Sequence, residues 1–399
     1  MKIKLGILMF TEYLVLGAYV PVLTLYLKED VGLNGNEIGI ILSLSSVVAL
    51  FSPIVGAAIA DRIISSERLF SLCHLAGGFL MLAILRENSF EPIALYFFLY
   101  SMFVGPTIAL SNSITFQHCS VRNRFGNIRL WGTLGWIGAA LIIWIINNLW
   151  EDFFSGNSFP LRLSAYSSFV LSAFVFVIPV VKLNREKKTF SIIPADAFSV
   201  FKDRKIVMIT LISLFIIVVD KYYYFGMAPF LQHLGLETSQ IFPIMSVGQG
   251  TEVIVMFYLS LILKKIGFKR ILVFGVIAEI LRFSLFVFSG GSFPLIVMGI
   301  AFHGLAYAFF FTSVFVYMDS HCRPDFRAGV HQLFSFVTSG LGTLIANMAA
   351  GYSMDLFVTG QVSPEYSFYW FIPLFLSFFA LFLFLSASGK DRYDYDLVD

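Results

Sequence analysis

Long apolar runs, each close to the length that a helix needs to cross a hydrocarbon core of about 30 Å, alternate with short polar breaks along the whole chain. They fall near 5–27, 37–60, 69–85, 92–117, 128–149 and 163–181, and again near 206–231, 238–263, 271–289, 293–318, 328–354 and 366–386. The runs are unbroken, most plainly at 206–219 and 371–385, which excludes the alternating pattern of a membrane barrel. The pattern predicts twelve transmembrane helices, six on each side of a hydrophilic segment at 182–205. The first run carries Glu12 and Pro21 and shows no clear small-residue cleavage site, so it is read as span 1 and not as a removable leader.

Composition agrees with that pattern. Of the 399 residues 58% are hydrophobic and only 13% charged, against roughly 25% charged in soluble proteins. Twelve crossings leave no room for a large soluble catalytic domain. The chain carries no phosphate-binding Walker loop, nucleophile elbow or zinc-protease helix, so an enzyme is not expected and any uphill transport has to draw on an ion gradient. Cys73, Cys119 and Cys322 are far apart and lack metal-ligand spacing, so neither a metal nor a cofactor is expected, and nothing points to a nucleic acid.

The net charge of +2 says little, but the placement of the charges is informative. Of the 27 Lys and Arg residues, 22 lie on the side of the N-terminus when alternate loops are assigned to opposite faces. Only Lys28, Arg86 and Arg162 lie on the other side, while Lys221 and Arg282 lie within spans. The positive-inside rule then puts both termini and the linker in the cytoplasm, and the protein in the inner membrane.

Two six-helix halves joined by a long cytoplasmic loop resemble the major facilitator architecture, in which substrate binds between the halves and monomers are the usual state. The predicted organisation is an N-terminal half at 1–181, the linker at 182–205, a C-terminal half at 206–388 and a tail at 389–399. After span 2, Ala57 and Ala60 precede Asp61 and Arg62, with Arg68 following. This resembles a relaxed form of the superfamily's loop motif, which would make Asp61 and Arg62 a gating latch; the alternative is an ordinary charged turn.

A charge at mid-bilayer costs at least about 2.5 to 3.5 kcal/mol on insertion scales, so ionisable residues within spans are functional candidates. On span 8, Gln249 and Glu252 are three apart and share a face, offering an amide and a carboxylate to one ligand, or else a packing hydrogen bond between helices. On span 5, Arg129, Thr133 and Trp136 form one stripe suited to a planar ligand with polar edges, unless Arg129 snorkels to water. On span 7, Asp220 and Lys221 diverge by about 100°, so they are not expected to neutralise each other easily, while Lys221 and Tyr224 share a face. On span 10, His303 and Tyr307 share a face, with the histidine either a ligand or a carbonyl-bonded core residue. Glu279 and Arg282 are three apart and are read as a structural pair. Glu12 could carry a proton if it faces a cavity. The other histidines, His74, His118, His233, His321 and His331, are read as interface residues near span ends.

Several stretches together resemble the nucleoside:H+ symporter family of the major facilitator superfamily, almost end to end. They are FTEYLVLGAY in span 1, ADRIISSERL after span 2, PTIALSNSITFQH in span 4, IRLWGTLGWI in span 5, YYYFGMAPFL in span 7, GQGTE in span 8, ILRFSLF in span 9, FHGLAYAFFF in span 10 and the RAGVHQLF stretch after it. The resemblance implies a central cavity for nucleobase and ribose, with proton entry driving accumulation. Arg129, Thr133 and Trp136 would line the wall of the N-terminal half. Gln249 and Glu252 would hydrogen-bond the substrate, and His303 and Tyr307 would contact it.

The chain also departs from that pattern. Ala308 stands where the family usually has an Asp, Lys221 where it commonly has Gln with Asp220 gained beside it, Tyr224 where some members have Asn, and Glu12 where the family has Gln. These changes imply relocated proton coupling or a changed substrate.

The function read from the sequence is a proton-coupled symporter for nucleosides or nucleoside-like solutes. The substrate-binding candidates are Arg129, Thr133, Trp136, Lys221, Tyr224, Gln249, Glu252, His303 and Tyr307. Glu252 is the first candidate for proton coupling, followed by Asp220 and Glu12. The rival readings are a transporter of a small carboxylate or sugar-like solute, with Lys221 and Arg129 serving an anion, and a non-transporting membrane receptor or scaffold.

Overall fold

The computed structural model describes residues 1–52, 55–56, 59, 63–118, 125–149, 156–179, 204–321, 327–359, 361 and 365–387, and every regular element among them is helical. Helix α1 is Lys2–Tyr19, continued through Leu23–Leu25 into a π-helical turn at Tyr26–Asp30. It is followed by α2 (Gly35–Ala49) and α3 (Ser66–Ile84). Next come α4 (Phe90–Val104, resuming at Thr107–His118), α5 (Phe125–Leu149) and α6 (Ser158–Phe174). After 203 come α7 (Arg204–His233), α8 (Thr238–Ile266) and α9 (Phe268–Phe288). Helix α10 runs Phe293–Ala306, through π-helical Tyr307–Thr312, to Ser313–His321. Helix α11 runs Arg327–Ser335, through π-helical Phe336–Gly342, to Thr343–Phe357, and α12 is Tyr366–Ala387.

Eleven segments among the described residues are long and apolar enough to cross a membrane, and Gly35–Ala49 is a shorter apolar helix. The sequence predicts a longer second span, 37–60, whose far end is described only in part. Large apolar side chains such as Phe257, Phe288, Val170 and Phe382 stand exposed on the outside, as a surface solvated by lipid requires.

Local chemistry sets the helix ends. The Asn34 side chain accepts from the Glu37 backbone N–H at 2.9 Å while Glu37 accepts from the Asn34 N–H at 2.9 Å, a reciprocal capping box that starts α2. In α4 the break falls at Gly105-Pro106, where proline supplies no N–H to continue the ladder. Prolines inside α7, α8 and α12 are tolerated because neighbouring helices can satisfy the freed backbone groups.

The chain divides into two compact units, one taking Met1–Phe190 with Met227–Ser246 and the other Ser191–Gly226 with Val247–Asp399. In the first, a core of Leu8, Met9, Val15, Phe70, Ile114 and Leu171 joins α1, α3, α4 and α6. Helices α1 and α5 touch backbone to backbone, because a Cβ on Gly135 would run into the Phe10 carbonyl oxygen. Ser164 on α6 donates to the Val15 carbonyl at 2.9 Å. The residues 227–246 are tied in through Asn157, which accepts from the Thr238 hydroxyl and donates to Asp30 Oδ1 at 2.5 Å. The second unit has its own core, including Ile209, Ile216, Leu272, Phe310, Tyr317 and Phe384. There Tyr369 donates to the Tyr222 carbonyl at 3.0 Å and fixes α12 on α7.

Candidate functional site

Within the second unit, α7, α8 and α10 bring Asp220, Lys221, Tyr224, Gln249 and His303 into one connected polar cluster. The approach of α8 to α10 depends on Gly304, where a Cβ would run into the Glu252 backbone nitrogen. Thr251 then donates to the Ala301 carbonyl at 2.7 Å across the same contact. Tyr224 OH lies 3.4 Å from His303 Nε2, and Gln249 Nε2 reaches towards the Tyr224 hydroxyl at 3.5 Å, the outer limit of a hydrogen bond. His303 Nδ1 faces Asp220 Oδ1 at 3.8 Å, too far for a hydrogen bond. The rings of His303 and Tyr307 have centroids 6.0 Å apart, so these two predicted residues do meet. Tyr307 and half-buried Lys221, Tyr224 and Glu252 are more accessible than Asp220, Gln249 and His303, which are buried.

The cluster is incompletely satisfied. Asp220 Oδ1, Gln249 Oε1 and His303 Nδ1 are buried without a hydrogen-bond partner among the described residues. Such atoms cost about 1 to 3 kcal/mol each when left unpaired.

Behind the cluster lies a second charged layer. Glu279 and Arg282 are wholly buried and paired at 3.2 Å, as the sequence spacing predicts. The Arg282 guanidinium also lies over the Tyr223 ring at 3.8 Å, and that ring stacks on His303 with centroids 5.7 Å apart. The pair therefore backs the wall of the cluster through Tyr223, a residue the sequence reading did not single out.

Asp220 and Lys221 require a correction. The expectation that they do not easily neutralise each other fails, because the lysine stem bends back to place Nζ 3.3 Å from Asp220 Oδ2. The divergence of their Cα–Cβ bonds is overcome by a four-carbon side chain.

In the first unit, Arg129, Thr133 and Trp136 are half-buried on α5. The Arg129 guanidinium lies over the ring of Tyr13 at 4.1 Å, placed there by the α1–α5 approach. Sequence spacing gave no sign of this tertiary contact. Glu12 is almost wholly buried, with His74 Nε2 2.7 Å from its Oε2 and the Thr107 hydroxyl 2.7 Å from its Oε1. His74 is thus a buried partner of Glu12 and not the interface residue expected from its place in the span. The gating candidates Asp61 and Arg62 lie outside the described residues. Among the described residues no cluster of His, Cys, Asp and Glu could hold a metal.

Membrane-length apolar helices around a buried polar cluster fit a membrane transporter for small polar solutes. The nucleoside H+ symporter family model matches residues 1–391, and the chain belongs to that family. Its relatives include the nucleoside permease NupG of Escherichia coli K12, 24% identical with 91% of this chain and 90% of that one covered. Another is the xanthosine permease of the same strain, 26% identical with 98% and 96% covered. The fold is that of a crystal structure of nucleoside transporter NupG. It superposes with a TM-score of 0.85 at 22% identity, covering 98% of this chain and 99% of that one. The family is one of transporters and not of enzymes, as the sequence reading expects.

Proposed function

We propose that the protein imports nucleosides or nucleoside-like solutes together with protons by alternating access. In this reading it acts as a monomer of two six-helix halves in the inner membrane, with both termini cytoplasmic. The observation that carries the reading is the cluster on α7, α8 and α10, whose unpaired Asp220, Gln249 and His303 atoms suit a solute rich in both donors and acceptors. A ribose and a nucleobase edge have that character. Gln249 and Glu252 would hydrogen-bond the solute, with His303, Tyr224 and Tyr307 as aromatic and polar neighbours and Lys221 at the accessible edge. Arg129, Thr133 and Trp136 would supply a guanidinium, a hydroxyl and a ring able to stack on a base. The names of NupG and the xanthosine permease support the same class of substrate.

The geometry favours this reading over a carboxylate carrier. Of the two cations an anion site would use, Lys221 is paired with Asp220 at 3.3 Å, which leaves only Arg129, held over the ring of Tyr13 at 4.1 Å. Proteoliposomes offered labelled uridine, adenosine and xanthosine under an inward proton gradient test the proposal, with a panel of small carboxylates and sugars as competitors. Uptake of at least one nucleoside, unaffected by the carboxylates and sugars, is expected. Transport of a carboxylate with no nucleoside uptake would overturn it.

A further inference from the structure

We propose that Glu12, His74 and Thr107 form a proton-binding site inside the first unit, set apart from the residues that meet the solute. The proposal deepens the symport reading above and rests on it for the proton's role in transport. Its basis is the closed geometry around a buried carboxyl. Thr107 Oγ1 lies 2.7 Å from Glu12 Oε1 and also 2.7 Å from the Val104 carbonyl oxygen. A hydroxyl has one proton, which these two acceptors share when Glu12 is a carboxylate. A proton added on Oε1 can be donated to Thr107, which leaves the Thr107 proton wholly to Val104.

The histidine accounts for the other oxygen. His74 Nε2 is 2.7 Å from Glu12 Oε2, while His74 Nδ1 is buried with no hydrogen-bond partner among the described residues. An imidazolium would bury an unpaired N–H there, whereas the neutral ring with its proton on Nε2 buries only a lone pair. With the proton on Nε2, His74 donates to Oε2 and leaves Oε1 as the oxygen open to a further proton.

The surroundings add little charge. The titratable groups near Glu12 are His74 and Cys73 on α3, Tyr100 on α4 and Tyr19 at the end of α1. Helix α6 faces α1 with the Ser164 hydroxyl, and on α5 Arg129 is held over the ring of the next residue, Tyr13. Phenols and thiols are ordinarily uncharged near neutrality, so the proton on Glu12 decides the charge of the site. Val104 ends the first half of α4, just before the Gly105-Pro106 break. Protonation is thereby linked to the hydrogen bonding of the backbone at the point where α4 is interrupted.

The test uses the full-length protein in proteoliposomes containing a pH-sensitive dye, with uridine, adenosine and xanthosine as probes. Nucleoside counterflow is measured in parallel, and the purified protein is examined by infrared difference spectroscopy between about pH 5 and about pH 8. Glu12→Gln is expected to keep counterflow within about twofold while nucleoside-driven proton uptake falls at least about tenfold. It should also lose one protonated-carboxyl band whose frequency shifts in Thr107→Val. Proton uptake within about twofold of the unsubstituted protein in Glu12→Gln overturns the proposal and leaves symport standing. An unsubstituted protein that moves no protons with any nucleoside overturns the symport reading, and loss of the infrared band in Glu12→Gln then still supports the proton site by itself. If Glu12→Gln also loses counterflow, the Thr107→Val spectrum decides, and a carboxyl band unchanged in that variant overturns the proposal.

Discussion

In the first unit, Glu12 is met on one oxygen by His74 and on the other by Thr107, both at 2.7 Å, and the group is closed off from its surroundings. The cluster of the second unit spreads over three helices, makes its contacts at 3.3 to 3.8 Å and leaves Asp220, Gln249 and His303 each with a buried atom unpaired among the described residues. Short, closed contacts suit a ligand with no volume, which is a proton. Longer contacts with unfilled valences beside accessible Tyr307 suit a solute that brings its own hydrogen-bonding groups. His74 Nδ1 is unpaired as well, so the contrast between the two proposed roles lies in contact length and accessibility and not in unpaired atoms.

Four substitutions probe that contrast. The largest effect is expected for Arg282→Met, which strands Glu279 in the apolar interior behind the solute cluster. Removing one partner of a buried pair costs about 3 to 5 kcal/mol, so the yield of folded protein and its thermal unfolding in detergent should both drop. Replacing both members by Met should recover most of the loss. Gln249→Leu comes next, since it deletes hydrogen bonds to the solute worth about 1 to 3 kcal/mol while leaving the helix contact intact. The half-saturating nucleoside concentration should rise about tenfold or more with unchanged thermal stability. Glu252→Gln sharpens the comparison further. Nucleoside affinity should fall by a smaller factor, about threefold to tenfold, and the protons taken up per nucleoside should stay the same. Loss of proton uptake here, with normal counterflow, would move the coupling site into the second unit. The smallest effect is expected for Lys221→Gln, where nucleoside uptake should change by less than about threefold, because the lysine is already committed to Asp220.

Much of this was legible in the sequence. Hydropathy placed eleven of the twelve expected spans among the described residues, and helical spacing paired Glu279 with Arg282 and His303 with Tyr307, because i to i+3 and i+4 neighbours on a helix are fixed by its pitch. Contacts between distant segments were not legible. His74 meets Glu12 across 62 positions of sequence, and Tyr13 lies under Arg129 only because Gly135 lets α1 and α5 touch. The pairing of Lys221 with Asp220 escaped for a different reason. Helical geometry fixes where a side chain starts, and a long flexible stem decides where its charge ends. The π-helical turn at Tyr307–Thr312 is also invisible to a helical repeat pattern; there Tyr307 is exposed while Ala308 is buried.

This chain is expected to move a nucleoside and a proton together. The direct measurement is the internal pH of proteoliposomes at zero membrane potential when a saturating nucleoside is added outside, with no pH gradient imposed. Acidification of the lumen that follows nucleoside entry, and that an unlabelled carboxylate does not produce, is the predicted result. Nucleoside entry with no change in internal pH would contradict the account.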